Sequence, residues 1–213
     1  MPSSPKILKE TILETALKML IRDGYSAINI KSVAKELGCS TQPISRQFGS
    51  MEGFRAELRK EAFRYAAEKI LPEGRNPVET LEKVGEGYIN LAFDEPNLAR
   101  FLTMEAMEYP SGKKFLSVLN RDNTSELVCK VAEEMGISVE DAREFTQAVV
   151  IYTHGLAMLT ISGSLQEDRE TVHKMVRDSG LRHMIFLGVP PEKAYGFFGM
   201  KPPASITVSN NAN

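Results

Sequence analysis

Apolar positions recur at helical spacing through nearly the whole chain. Leu8, Ile12, Ala16, Leu17, Leu20 and Ile21 predict a first helix that opens at Ser4-Pro5 and ends at Asp23-Gly24. Ile30, Val33, Ala34 and Leu37 fall at i, i+3, i+4 and i+7 of a second, with Asn29 as its N-cap and Gly38 as its left-handed end. Ser40 is placed to cap a third, with Pro43 in its first turn and Ile44 and Phe48 facing inward. A long fourth helix runs from Met51 to Ile70 on a stripe of Phe54, Leu58, Ala62, Tyr65 and Ala66. Pro77 opens a fifth through Tyr88 and Ala92, and Asp94-Glu95-Pro96 breaks it and caps the next, which carries Leu98, Phe101, Leu102 and Met104. Phe115 to Met135 reads as long and amphipathic. A helix capped at Ser138 runs to about Ser162 and is apolar nearly all round, so burial on several sides is expected. The last helix spans about Gln166 to Leu187. No alternating strand pattern and no repeat is visible. The prediction is an all-α fold: a small module at 1–50, a linking helix at 51–70, a helical body at 71–188, and a tail at 189–213 whose last ten residues are expected to be disordered.

The third helix carries the most informative surface. With Ile44 and Phe48 turned inward, Thr41, Gln42, Ser45, Arg46 and Gln47 face out. Two short helices joined by a tight Gly turn fit a helix-turn-helix, whose second helix enters the DNA major groove. Gln suits adenine edges, Arg suits guanine or phosphate, and Ser/Thr suit either. An ordinary αα-hairpin with a solvated polar face satisfies the same pattern. Charge separates the two readings further. Net charge is −2, yet residues 1–70 carry 12 Lys/Arg against 8 Asp/Glu, and the other 143 carry 14 against 20. A basic first part on an acidic body is what a chain needs if only that part meets phosphates.

Composition narrows the remainder. The chain is 213 residues long, 42% hydrophobic and 25% charged, ordinary values for a globular protein. Cys39 and Cys129 lie far apart without CxxC spacing, against a disulfide framework or zinc site. No apolar run spans a membrane and no signal-peptide core precedes the first helix, so a cytoplasmic protein is expected. There is no GxSxG, HExxH or P-loop, hence no expected catalytic residue, cofactor or metal. His154 has only Met158 at i+4, and a packed histidine is the default for it.

Gly24-Tyr25, Ile30, Val33-Ala34, Gly38-Cys39-Ser40, Ile44 and Phe48, followed by a long helix with Phe54 and Leu58, resemble the N-terminal domain of the tetracycline-repressor (TetR) family. The resemblance covers about residues 5–65. It implies a DNA-binding module joined through its fourth helix to a C-terminal ligand-binding and dimerisation domain, mostly in ligand-released repressors. Carried onto this chain, the DNA-contact set is Lys31, Ser40, Thr41, Gln42, Pro43, Ser45, Arg46, Gln47 and Arg55. The chain departs from the family pattern at four places. Ser45 stands where a phosphate-touching Tyr is usual, Gln47 for His, Met51 for Lys, and Gln42 for a small residue. The family's pocket position implies an adaptable, mainly apolar ligand site from Tyr88, Phe101, Met104, Met107, Phe115, Tyr152, His154 and Met158. His154-Gly155-Leu156 is also similar to one subgroup of the family, without its preceding Trp. The expected partners are double-stranded operator DNA, a small effector and a second copy through about 140–187, with Val176 or Leu181 as interface positions. The rival is a helical small-molecule-binding or protein-interaction module that no longer binds DNA.

Overall fold

The computed structural model describes residues 7–70, 76–105 and 126–203, and of Glu105 the backbone alone. Among these the secondary structure is helical, without strands. The chain divides into two compact units, Met1–Lys69 with Leu91–Phe115, and Ile70–Asn90 with Leu116–Asn213.

In the first unit α1 (Lys9–Asp23) is followed by a 3-10 turn at Tyr25–Ala27, then α2 (Ile30–Glu36), α3 (Gln42–Phe48) and α4 (Met51–Ile70). The described part of α1 starts at Lys9 with Leu8 as N-cap; the expected Ser4-Pro5 opening lies outside the described residues. Asn29 caps α2 as expected, its side chain accepting from the Lys31 and Ser32 amides while Ser32 Oγ accepts from the Asn29 amide. Gly38 takes φ +65°, a conformation open to Gly at little cost. The cap of α3 differs from expectation. It is Thr41, in helical conformation and without a side-chain cap bond, so Ser40 sits one residue too early to serve. Ile12, Ala16, Leu20, Val33, Ile44, Phe54 and Leu58 form the core, and the Phe48 and Phe54 rings meet edge to face at 5.1 Å.

Gly53 makes that ring contact reachable. Ser50 Oγ accepts from the Gly53 amide in the first turn of α4. A β-carbon on Gly53 would stand 2.4 Å from the Phe48 carbonyl oxygen, inside any tolerable contact with backbone.

The unit is completed by the end of α5 (Pro77–Asp94), α6 (Pro96–Arg100) and a π-helical turn at Phe101–Glu105. The sequence reading placed this segment in the C-terminal body; here it packs on α1. Asn97 Nδ2 donates to the Ile21 and Arg22 carbonyls, which the end of α1 leaves unpaired, and Phe101 stacks on Tyr25 at 4.8 Å. Glu95 is held from α4, accepting from Tyr65 Oη at 2.8 Å and Lys69 Nζ at 2.5 Å.

The second unit contains most of α5, α7 (Glu126–Met135), α8 (Val139–Ile161), α9 (Arg169–Phe186) and α10 (Pro191–Gly196). Ser138 caps α8 as expected, and Asp168 caps α9 through the Thr171 amide. Val78, Val128, Val131, Ala142, Phe145, Leu181 and Met184 share one core. Two expectations change. Residues 189–197 are not tail: Val189, Ala194 and Phe197 are buried in that core, so two Pro residues at 190 and 191 open a helix rather than end the fold. Leu181 is 3% exposed inside its own chain's core and is not free to face a partner. The last ten residues lie outside the described set. Among the described residues no helix is long and apolar enough to cross a membrane.

Gly53→Ala should lower unfolding free energy by about 1–3 kcal/mol, measured by urea titration. In an exposed helix interior the same change gains roughly 1 kcal/mol, so an unchanged or raised value would refute the close approach.

Candidate nucleic-acid interface

The buried pair Ile44 and Phe48, 0% and 9% exposed, fixes which side of α3 faces solvent. Ser40, Thr41, Gln42, Ser45 and Arg46 are exposed and Pro43 is half-buried in the first turn. Lys31, in the first turn of α2, is exposed as well, and no described carboxylate pairs with it or with Arg46. Neighbouring cations are otherwise engaged. Lys9 is bonded to Glu57 at 2.7 Å, and Arg22 to Asp23 and Glu36. Lys31 and Arg46 are therefore among the cations open to an external anion.

Two expected contacts have other partners in the structure. Gln47 is half-buried, and its amide donates to the Ile7 carbonyl at 2.8 Å, tying the chain ahead of α1 to the end of α3. Its side chain is thereby turned from the outward set. Arg55 is exposed on α4, with its guanidinium 5.5 Å from the Tyr25 ring centre. Cys39, in the turn before α3, is half-buried.

Residues 12–58 match the family model described as bacterial regulatory proteins, tetR family. The match takes in α2, α3 and parts of α1 and α4, and is a likeness to that family over this stretch. A TetR variant from Acinetobacter baumannii AYE, solved in complex with minocycline, matches it with a TM-score of 0.51 at 15% identity, over 93% of this chain and 100% of that one. That likeness shows a common fold. No curated protein matches the sequence significantly.

The residues expected to line a ligand site are distributed over both units. Phe101 is 1% exposed and committed to Tyr25 in the first, where Met104 is 60% exposed on the π-helical turn. In the second, Tyr88 Oη lies 2.8 Å from His154 Nδ1, while Met158 is half-buried and Tyr152 points outward, 37% exposed. Met107 and Phe115 lie outside the described residues. Of the set, Tyr88 and His154 are brought into hydrogen-bond contact.

The second unit also has two small clefts that sequence reasoning missed. One lies among Glu82, Gly85, Glu86, Ile89, His173, Val176 and Arg177. The other, small and half open to solvent, is walled by Val78, Leu81, Phe145, Val149, Met184 and Phe198 and shares Glu82, Val176 and Arg177 with the first. Glycines on facing helices, Gly85 and Gly180, were the available signal. Among the described residues no group of three His, Cys, Asp or Glu is placed to hold a metal ion.

Burial holds the His154 imidazole below its ordinary pKa. Burial does the same to His173, with Arg169 and Arg177 adding to it and Glu86 opposing. Both rings bind fewer protons folded than unfolded. Their contribution to stability is whole above about pH 6.5 and is lost as pH falls from there through the depressed folded values.

Two measurements follow. Arg46→Ala and Lys31→Ala should each weaken operator binding and reduce the salt slope by about one. Gln42→Ala should shift preference at one base position by roughly 1–3 kcal/mol; an unchanged base profile would remove Gln42 from the groove. In urea unfolding, the double variant His154→Gln/His173→Gln should lose stability less steeply than wild type below pH 6.5. Parallel curves would show that the two rings do not carry the titration.

Proposed function

We propose that the chain is a homodimeric transcriptional repressor that a small, mainly apolar ligand releases from its operator. The observation that carries the reading is the solvent face of α3, where polar groups suited to base edges and phosphate stand on a helix locked from behind by Ile44 and Phe48. A single module of this size reads few bases, and two-fold pairing doubles the site. The second unit supplies a surface suited to such pairing. Ile151 and Leu159 on α8 are 58% and 46% exposed, and Phe186 at the end of α9 is 85% exposed. The expectation that α8 is buried on several sides is met in this reading only once a second copy covers that face. For the ligand, support comes from the apolar walls of the second cleft and from the minocycline held by the A. baumannii neighbour.

The test uses purified protein and fragments of its own genome, competed with random duplex. A near-palindromic fragment should be retained after the competitor has removed the rest. Retention of no fragment over random duplex would favour a helical module that has given up DNA binding. Ile151→Glu should yield monomers in sedimentation and reduce operator affinity to that for random duplex. A variant that stays dimeric would place the interface elsewhere.

A further inference from the structure

The polar cleft of the second unit has features that helix packing does not require. α5 presents Glu82, Gly85 and Glu86 to it, and α9 presents His173 and Arg177. Behind Gly85 stands Thr153 of α8, whose Oγ1 would lie 3.9 Å from a β-carbon placed on that glycine. Thr153 is 4% exposed and its hydroxyl has no hydrogen-bond partner. His173 Nε2 is likewise buried and unpartnered. Buried polar atoms are nearly always bonded, so His173 Nε2 at the cleft wall, with Thr153 Oγ1 behind Gly85, marks a place for a donor from outside. The interior has room for one water-sized group.

Charge selects that group. Arg177 Nε donates to Glu82 at 3.1 Å, and its guanidinium stands 3.9 Å from Glu86. Within the lining of the cleft one guanidinium therefore answers two carboxylates, while Arg169, near enough to act on His173, stands outside that lining. Burial first, and then the neighbouring Glu86, push the Glu82 carboxyl up in spite of Arg177. The neighbouring apolar cleft continues from Val176 along Leu81, Phe145 and Met184.

We propose that this cleft binds a small primary amine in its ammonium form, with the head among Glu86, Thr153 and His173 and the hydrocarbon tail along Leu81, Phe145 and Met184. An ammonium group is water-sized and has three donors and no acceptor, which matches a carboxylate, a hydroxyl oxygen and a ring nitrogen. A guanidinium is too large for the space, and an anion would meet Glu82 and Glu86. The proposal deepens the reading of the chain as ligand-responsive, yet binding at this cleft is measured without DNA, so it stands or falls apart from operator release.

The experiment titrates the full chain with n-butylammonium chloride and, separately, with n-butanol, at pH 7.5 and constant ionic strength, followed by heteronuclear NMR. Gly85→Ala is the blocking variant. Its methyl would make ordinary contacts of 3.9 Å to Thr153 and 4.0 Å to Val176, so the fold tolerates it while Thr153 is covered. n-Butylammonium should bind wild type at least about tenfold tighter than n-butanol. Gly85→Ala should lose that binding and melt no lower than wild type, and Glu86→Gln should weaken it. Equal binding of the alcohol, undiminished binding by Gly85→Ala, or no saturable binding of the amine would each overturn the proposal.

Discussion

The N-terminal helical module depends on how closely the first turn of α4 approaches the end of α3. The Phe48 carbonyl lies where a β-carbon of residue 53 would be, and that proximity brings the Phe54 ring edge-on to Phe48. Phe48 and Ile44 in turn decide which side of α3 is wet. A looser junction would leave α3 free to roll, and its outward residues would lose their fixed orientation. Seven residues make too short a helix to hold itself, so packing supplies what propensity cannot.

A second set of contacts attaches residues beyond α4 to the same module. Asn97 closes the open carbonyls of α1, Phe101 covers Tyr25, and Glu95 is gripped by Tyr65 and Lys69. Tyr25 also lies under Arg55, so a cation on the candidate DNA face rests on a ring whose other neighbour opens a π-helical turn. Such turns trade a regular hydrogen bond for a repositioned side chain and recur at functional places. The second unit uses its helices differently: α5 and α9 face each other with glycines and charged groups as well as with hydrocarbon.

Much of the first unit was legible because its signals are local. Asn29, Gly38, Ile44 and Phe48 announce their roles through spacing and backbone chemistry within a few residues. What escaped depends on contacts between distant parts of the chain. Gln47 reads as an outward polar residue until Ile7, forty positions away, offers its carbonyl. Ser40 was the better cap by residue type, but the chain enters α3 one residue later. Phe101 and Leu181 have the composition of a pocket and an interface, and only tertiary packing commits each to its own core. Gly53 and Gly85 look alike in sequence, two glycines inside helices, yet one is compelled by a neighbouring carbonyl and the other would meet its neighbours only at ordinary contact distance.

That last difference matters for anyone engineering the chain. Position 85 is where a search for thermostability would act early, since alanine there relieves backbone entropy and meets its neighbours at comfortable distances. The same methyl would cover the Thr153 hydroxyl. Selection for heat resistance would therefore tend to seal a buried hydroxyl that the glycine leaves uncovered.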